Sequence, residues 1–236
     1  MKKILEKALA DYSLKLTPQM YSKFELYYKL LIEWNEKINL TAITDPEGVA
    51  VKHFADSLAF FNYFTLNKEG AKVIDIGTGA GFPGVCLKIA RPDIKLTLLD
   101  SLNKRFLFLK ELLSQLGLEA EFIQGRAEEF GQNIDHREMY DFAVSRAVAK
   151  LNVLSEYCLP FVRLSGSFVA FKGGSCEEEV EAAKNAVQKL GGKLSAVHTF
   201  DLPFDGGSRS LVAVEKIQPT PDRYPRNNGK IKSKPL

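Results

Sequence analysis

The residues of this chain best placed to do chemistry lie in "VIDIGTGAGFPGVCLKIARPDIKLTLLD" (73–100). An apolar run there ends at Asp75 and Ile76, four closely spaced glycines follow, and a second apolar run closes with Asp100. Gly79, Gly81 and Gly84 match G-x-G-x-x-G after a predicted strand, with an acid 19 residues beyond Gly81. That is the pattern of a dinucleotide fingerprint, and it supports a nicotinamide-dependent oxidoreductase. Two details oppose it. Asp75 stands two residues before Gly77, and a carboxylate beside a pyrophosphate is repelled by it. The match also begins late, with Gly77 and Thr78 intervening, whereas the dinucleotide fingerprint turns directly off its strand.

A ligand with an adenosine and no phosphates fits the loop better. The ammonium of S-adenosylmethionine would be drawn towards Asp75, directly or through water. Glycines such as Gly79 and Gly81, lacking Cβ, let the backbone approach its methionine part. Asp100, at the end of the second strand, is positioned to accept hydrogen bonds from both ribose hydroxyls. Its competing role is to cap the helix of "SLNKRFLFLK".

The elements that must position these residues follow from periodicity. Apolar residues in the first 65 positions recur at helical spacing. Thr17 and Pro18 form a cap and first turn for a helix bearing Met20, Phe24, Tyr27, Leu31 and Trp34 on one stripe. A third helix is expected from "TDPEG", presenting Val51, Phe54, Leu58 and Phe61. From residue 71 short apolar runs alternate with helical stretches, the signature of βαβ units and a parallel sheet. Strands are expected near 71–76, 94–100, 119–124, 140–145 and 166–171, with helices at about 84–91, 103–117, 150–160 and 176–191. The runs "GKLSAVHTFDL" and "RSLVAVEKI" are joined by too short a loop for a parallel crossover and must pair antiparallel. This gives an α/β fold with a seven-stranded, mostly parallel sheet, which nicotinamide-binding domains do not usually have. Three regions are expected: N-terminal helices (1–65), the sheet domain (66–217) and a basic, proline-containing tail (218–236).

In this arrangement Asp75, Asp100, Glu128, Arg146 and Lys172 all fall at or just after carboxyl ends of parallel strands, where open α/β sheets bind ligands. Arg209, at the start of the antiparallel strand, returns to the same rim. The net charge of +3 is unevenly divided: residues 217–236 carry +4 and the rest −1. With four prolines, the tail reads as a flexible basic arm, either an RNA-binding element that includes Arg223 and Arg226 or a solubilising one. Three dispersed cysteines without a CxxC suit a reducing compartment, and the three histidines are equally scattered, so no metal site is expected. No apolar run reaches about 18 residues, and Glu6, Lys7 and Asp11 interrupt any signal-peptide core. A cytoplasmic, monomeric protein is expected.

If the cofactor is S-adenosylmethionine, the acceptor determines which protein groups are needed. An exocyclic amine calls for Asn/Asp-Pro-Pro-aromatic after strand four, where this chain has "YDFAVSRAVAK". A pyrimidine C5 calls for a cysteine nucleophile, but Cys158 lies within a helix expected to pack on the sheet. An sp² ring nitrogen such as guanine N7 needs neither device, because no proton is removed before attack and positioning supplies most of the catalysis. The fork of Arg146 suits guanine O6, phosphate or the cofactor carboxylate.

"WNEKINLTAI" (34–43), "KHFADS" (52–57), "DIGTGAGFPG" (75–84), "LLDSLNKR" (98–105), "GRAEEF" (125–130), "SRAVAKL" (145–151) and "FVAFKGG" (168–174) together resemble the glucose-inhibited division protein B family, in order and over nearly the whole chain. The resemblance implies a Rossmann-like class I methyltransferase that makes 7-methylguanosine in bacterial 16S rRNA, acting on the RNA or the small ribosomal subunit. It implies cofactor contacts at Gly77, Phe82, Ala127, Glu128 and Arg146, with Asp100 as the ribose acid. Asn39 and His53 either face RNA or join the helices to the sheet domain by hydrogen bonds. Lys172 and Arg126 are assigned to the substrate side, and Phe82 either walls in the methionine end or packs beneath the loop. A non-catalytic RNA-binding assembly factor is the remaining alternative.

Overall fold

The computed structural model describes residues 1–66 and 68–236. The chain opens with α1 (Lys2–Ala8) and α2 (Pro18–Ile38). The Thr17 hydroxyl accepts the Met20 amide at 3.3 Å and Pro18 occupies the first turn, as the capping pattern requires. Phe24, Tyr27 and Leu31 of the expected stripe are completely buried, with Met20 and Trp34 packed at its margins. α2 stops at Asn39, whose φ of 49° is the left-handed conformation that asparagine tolerates.

Next come α3 (Pro46–Gly48), a π-helical stretch (Val49–Ala55), α4 (Asp56–Leu58) and α5 (Phe60–Tyr63). Asp45 caps this run through the Gly48 amide at 2.7 Å. Val51, Phe54 and Leu58 are buried as expected, but Phe60 rather than Phe61 takes the last fully buried position. The wide i→i+5 turns insert residues relative to the 3.6 period, so the apolar face shifts.

The sheet contains β1 (Lys72–Ile76), β2 (Lys95–Asp100), β3 (Glu121–Gln124), β4 (Tyr140–Arg146), β5 (Val162–Gly173), β6 (Gly192–Leu202) and β7 (Gly207–Lys216) in the order β3-β2-β1-β4-β5-β7-β6. β1 to β5 are parallel, and β7 runs antiparallel to both β5 and β6. The connecting helices are α6 (Gly84–Ala90), α7 (Asn103–Leu116), the short α8 (Ala127–Phe130), α9 (Leu151–Cys158) and α10 (Glu177–Lys189). The strand order reverses between β1 and β4, and their carboxyl ends part into the crevice that such a switch point creates.

Strand alternation divides the core. Val73, Val144, Val169 and Phe171 face one cluster, which they share with Phe24, Tyr27 and Phe54 of the N-terminal helices. Ile74, Ala143, Phe168 and Ala170 face the other, with Leu154, Cys158 and Val187 of α9 and α10.

The C-terminal segment is not a flexible arm. It ends in a helix, α11 (Asn228–Ser233), and Tyr224 and Ile231 are buried in the second cluster. Arg137 donates to the carbonyls of Thr220 at 2.6 Å and Tyr224 at 2.9 Å. Glu156, fully buried, accepts three hydrogen bonds from Arg226 at 2.7–2.9 Å. Arg226 is therefore an anchor of the segment and not the free RNA contact expected from its charge. Four prolines did not prevent packing, because this segment uses side chains and loop carbonyls, rather than a ladder of its own amides, to bind the fold. Arg226→Ala leaves the Glu156 carboxylate buried without its partner and should cost about 3–5 kcal/mol in urea denaturation. A loss below about 1 kcal/mol, typical of an exposed pair, would refute this anchoring role.

Candidate functional site

A cleft of about 500 Å³ opens at the carboxyl ends of β1 to β4. The chain leaving β1 turns through Gly77 and Gly81 with φ of 71° and 95°. A Cβ at Gly77 would meet Val148 at 2.5 Å, and one at Gly81 would meet the Tyr27 hydroxyl at 2.7 Å. Glycine is thus demanded twice, by backbone conformation and by close approach. Gly79, between them, faces the cleft.

Asp75 does not line the cleft, and its buried side chain is not placed for the direct contact with an ammonium that was expected. Its side chain leaves β1 on the same face as Val73 and is fully buried, where Oδ2 accepts the Gly84 amide at 2.9 Å and the Thr78 hydroxyl at 2.8 Å. The correction follows from the pleat: a residue before the strand's end points into a face of the sheet, not off its edge. The first amide of α6 is therefore occupied by a protein carboxylate, in the position where a dinucleotide fold receives pyrophosphate. This opposes nicotinamide binding more strongly than the spacing did. Burial pushes the Asp75 carboxyl up to about 6, against the hydrogen bonds from Gly84 and Thr78.

Asp100, the last residue of β2, does hang over the cleft. Its Oδ2 accepts the Gly79 amide at 3.0 Å and Arg105 Nη1 at 2.8 Å, while Oδ1 accepts the Leu102 amide at 3.0 Å. It thus steadies the glycine loop and the start of α7 together. These contacts occupy three of roughly four acceptor sites of the carboxylate, so a diol can engage both oxygens fully only if Arg105, on a half-exposed side chain, gives way. Arg105 stands within the "LLDSLNKR" motif but had no assigned role; only its approach to Asp100 shows one.

Beyond Asp100 the cleft is lined by Gly125, Arg126, Ala127 and Glu128, where β3 passes into α8. Arg126 is largely exposed, with Nη1 3.9 Å from Glu128. At the opposite end Phe82 forms a wall. Its ring stacks on Tyr27 at 5.2 Å and on His53 at 4.5 Å, and the Arg146 guanidinium lies 5.0 Å from its centroid. Phe82 thus both packs among these rings and lines the cleft. Arg146, ending β4, is paired with the buried Asp56 at 2.8 Å. Nε2 of His53 lies 2.8 Å from the Thr41 hydroxyl. Burial and the neighbouring Arg146 push His53 down to about 3, so the imidazole is neutral at physiological pH.

Arg146 and His53 also line an adjoining cleft of about 540 Å³ with Lys52, Asp56, Lys172, Glu179 and Arg209. Lys172 donates to the Ala149 carbonyl at 2.8 Å and Glu179 at 2.5 Å, and Arg209 Nε lies 3.7 Å from Asp56. The structure thereby brings together His53, Arg146, Lys172 and Arg209. It does not bring in Asn39, which lines neither cleft and ends α2, nor Arg223, which lies over the Tyr224 ring at 5.1 Å on the C-terminal segment. Asn228 and Lys232 of α11, unforeseen in the sequence, line the first cleft.

Residues 20–212 match the family described as GidB, rRNA small subunit methyltransferase G. The chain belongs to this family. It is 51% identical to ribosomal RNA small subunit methyltransferase G of Desulforamulus reducens, covering 98% of this chain and 97% of that one. Identity to the Alkaliphilus metalliredigens protein of the same name is 50%, covering 100% and 98%, so that alignment includes the C-terminal segment. Among solved structures, M. jannaschii TYW2 in complex with AdoMet has the same kind of fold, with a TM-score of 0.55 at 15% identity over 75% of this chain and 80% of that one. The family membership makes this chain an S-adenosylmethionine-dependent rRNA methyltransferase with a Rossmann-like fold.

The residues present fit that cofactor. Glycines open the floor of the cleft, Asp100 supplies an acceptor there, and the anion position at α6 is closed by Asp75. Because Asp75 titrates at about 6 in the fold and about 3.9 unfolded, the folded state holds its proton while the unfolded chain loses it. Its contribution to stability is complete below about pH 4 and is lost as pH rises through about 6, a difference of about 3 kcal/mol. Asp75→Asn should therefore gain stability relative to the parent protein between pH 4 and 7, by urea denaturation without cofactor. A difference that does not change with pH would show that Asp75 is ionised at an ordinary pKa.

Proposed function

We propose that the enzyme methylates N7 of a guanine in 16S rRNA, with the free RNA or the small ribosomal subunit as substrate, as a monomer in the cytoplasm. The observation that carries this reading is the chemistry at the junction of the two clefts. Among the described residues, every carboxylate there is committed: Asp56 to Arg146 and Arg209, Glu179 to Lys172. His53 is held too weakly basic to take a proton, and burial raises the Cys158 thiol well above its ordinary pKa. Such a site favours an acceptor that attacks without losing a proton, and guanine N7 offers a free lone pair.

When bound, S-adenosylmethionine supplies a methyl group on a sulfonium, an electrophile that needs no further activation. Gly77, Gly79 and Gly81 are assigned to its methionine part, Asp100 to its ribose, and Ala127 and Glu128 to its adenine side. Phe82 walls off water at the reacting end. Arg146, fixed by Asp56, presents donors to guanine O6 or to the cofactor carboxylate. Lys172, Arg209 and the exposed Arg126 give the rim positive charge for phosphates. His53 stays neutral, so it adds no charge against a base that becomes cationic on methylation.

The experiment is chemical. Methylation at N7 labilises the glycosidic bond, so borohydride followed by aniline should cut 16S rRNA at one guanosine after incubation with active enzyme and cofactor. RNA that gains methyl groups yet resists aniline would remove the N7 assignment, and RNA that gains none in any form would favour a non-catalytic assembly role. Separately, Asp100→Ala should weaken S-adenosylmethionine binding by roughly 10- to 150-fold in calorimetry, the loss of a hydrogen bond to a charged acceptor. Unchanged affinity in the folded variant would confine Asp100 to holding the loop and α7.

A further inference from the structure

The C-terminal segment is fastened where the cleft passes beyond Asp100. Two neighbouring residues of α9 hold it: Glu156 grips Arg226, and the Tyr157 hydroxyl donates to Asn228 Oδ1 at 2.7 Å. The loop leading from α8 holds it as well, since Gln132 donates to the carbonyls of Asp222 at 3.0 Å and Pro225 at 3.1 Å. α8 follows β3, on the side of Asp100 away from the glycine loop. A cofactor whose ribose meets Asp100 and whose methionine part lies over the glycines must extend its adenine in this direction. Tyr157, Asn228 and Lys232 line the cleft there.

We propose that the C-terminal segment forms a wall of the adenine pocket and that Asn228 is a cofactor-binding residue. This rests on the assignment of the cleft to S-adenosylmethionine. With its Oδ1 committed to Tyr157, Asn228 keeps its Nδ2 hydrogens, which donate to no protein atom among the described residues. Adenine presents ring nitrogens with free lone pairs, the complement of that amide. Asn228 is partly exposed, as a cleft wall must be, while Ile231 one turn on is buried and keeps α11 in place. Tyr157 acts through Asn228 and is a positioning residue.

The test uses the full-length protein and calorimetry with two ligands, S-adenosylmethionine and 5′-methylthioadenosine, which lacks the amino-acid part. Asn228→Ala should weaken both by the same factor, about fivefold for one neutral hydrogen bond. Asn228→Asp, nearly isosteric and without the amide hydrogens, should weaken both at least as much. Tyr157→Phe should cause a smaller loss that disappears in the Asn228→Ala background, and thermal unfolding of each cofactor-free variant verifies its fold. Affinities within twofold of the parent in folded variants would overturn the proposal, as would a loss restricted to S-adenosylmethionine. Should the parent protein bind neither ligand, the cofactor assignment itself fails, an outcome distinct from a parent that binds and variants that bind equally well.

Discussion

A carboxylate without access to water organises the glycine loop of this enzyme. Asp75 accepts the first amide of α6 and the Thr78 hydroxyl, and thereby closes the glycine loop back on the strand it leaves. Ionising a buried carboxyl costs free energy, and two good donors recover only part of it, so its pKa remains raised. The same bond also selects the ligand. An α6 amide bonded to Asp75 is no longer available to phosphate, so the loop disfavours a pyrophosphate.

A second buried carboxylate performs a comparable task between chain segments. Asp56 comes from the helical run after the π-helical stretch, and it meets Arg146 from β4 and Arg209 from β7. The pair carries more weight as geometry than as stabilising energy, because burying both charges costs nearly what their attraction returns. It fixes the planar guanidinium at the boundary between two clefts, beside Phe82 and His53. His53, within the π-helical stretch, and Asp56, directly after it, both line the adjoining cleft.

A third anchored carboxylate, Glu156, reaches the far end of the chain. Arg226 binds it through backbone and side chain together, and the last helix is thereby laid along the cleft. The segment with the highest density of positive charge is thus partly structural. Arg226 is consumed by its partner, while Lys232 of α11 lines the first cleft.

Local pattern alone determined much of this protein. Alternating apolar runs, the short link between the last two strands and the Thr17–Pro18 start of α2 were legible because each depends on near neighbours in the chain. Asp100 was legible for the same reason, as the last residue of a strand beside a switch point. The burial of Asp75 was legible as well: its position before the strand's end, on the Val73 face, directs it inward. The shift from Phe61 to Phe60 was hidden, because nothing in a 3.6 period announces a π turn. Arg105 on Asp100, Arg146 on Asp56 and Arg226 on Glu156 differ in how far apart their partners lie, and the last two were decided only by tertiary structure. Charge in a sequence has no direction; whether an arginine meets RNA or a buried carboxylate is settled when packing sets which carboxylates lose their water.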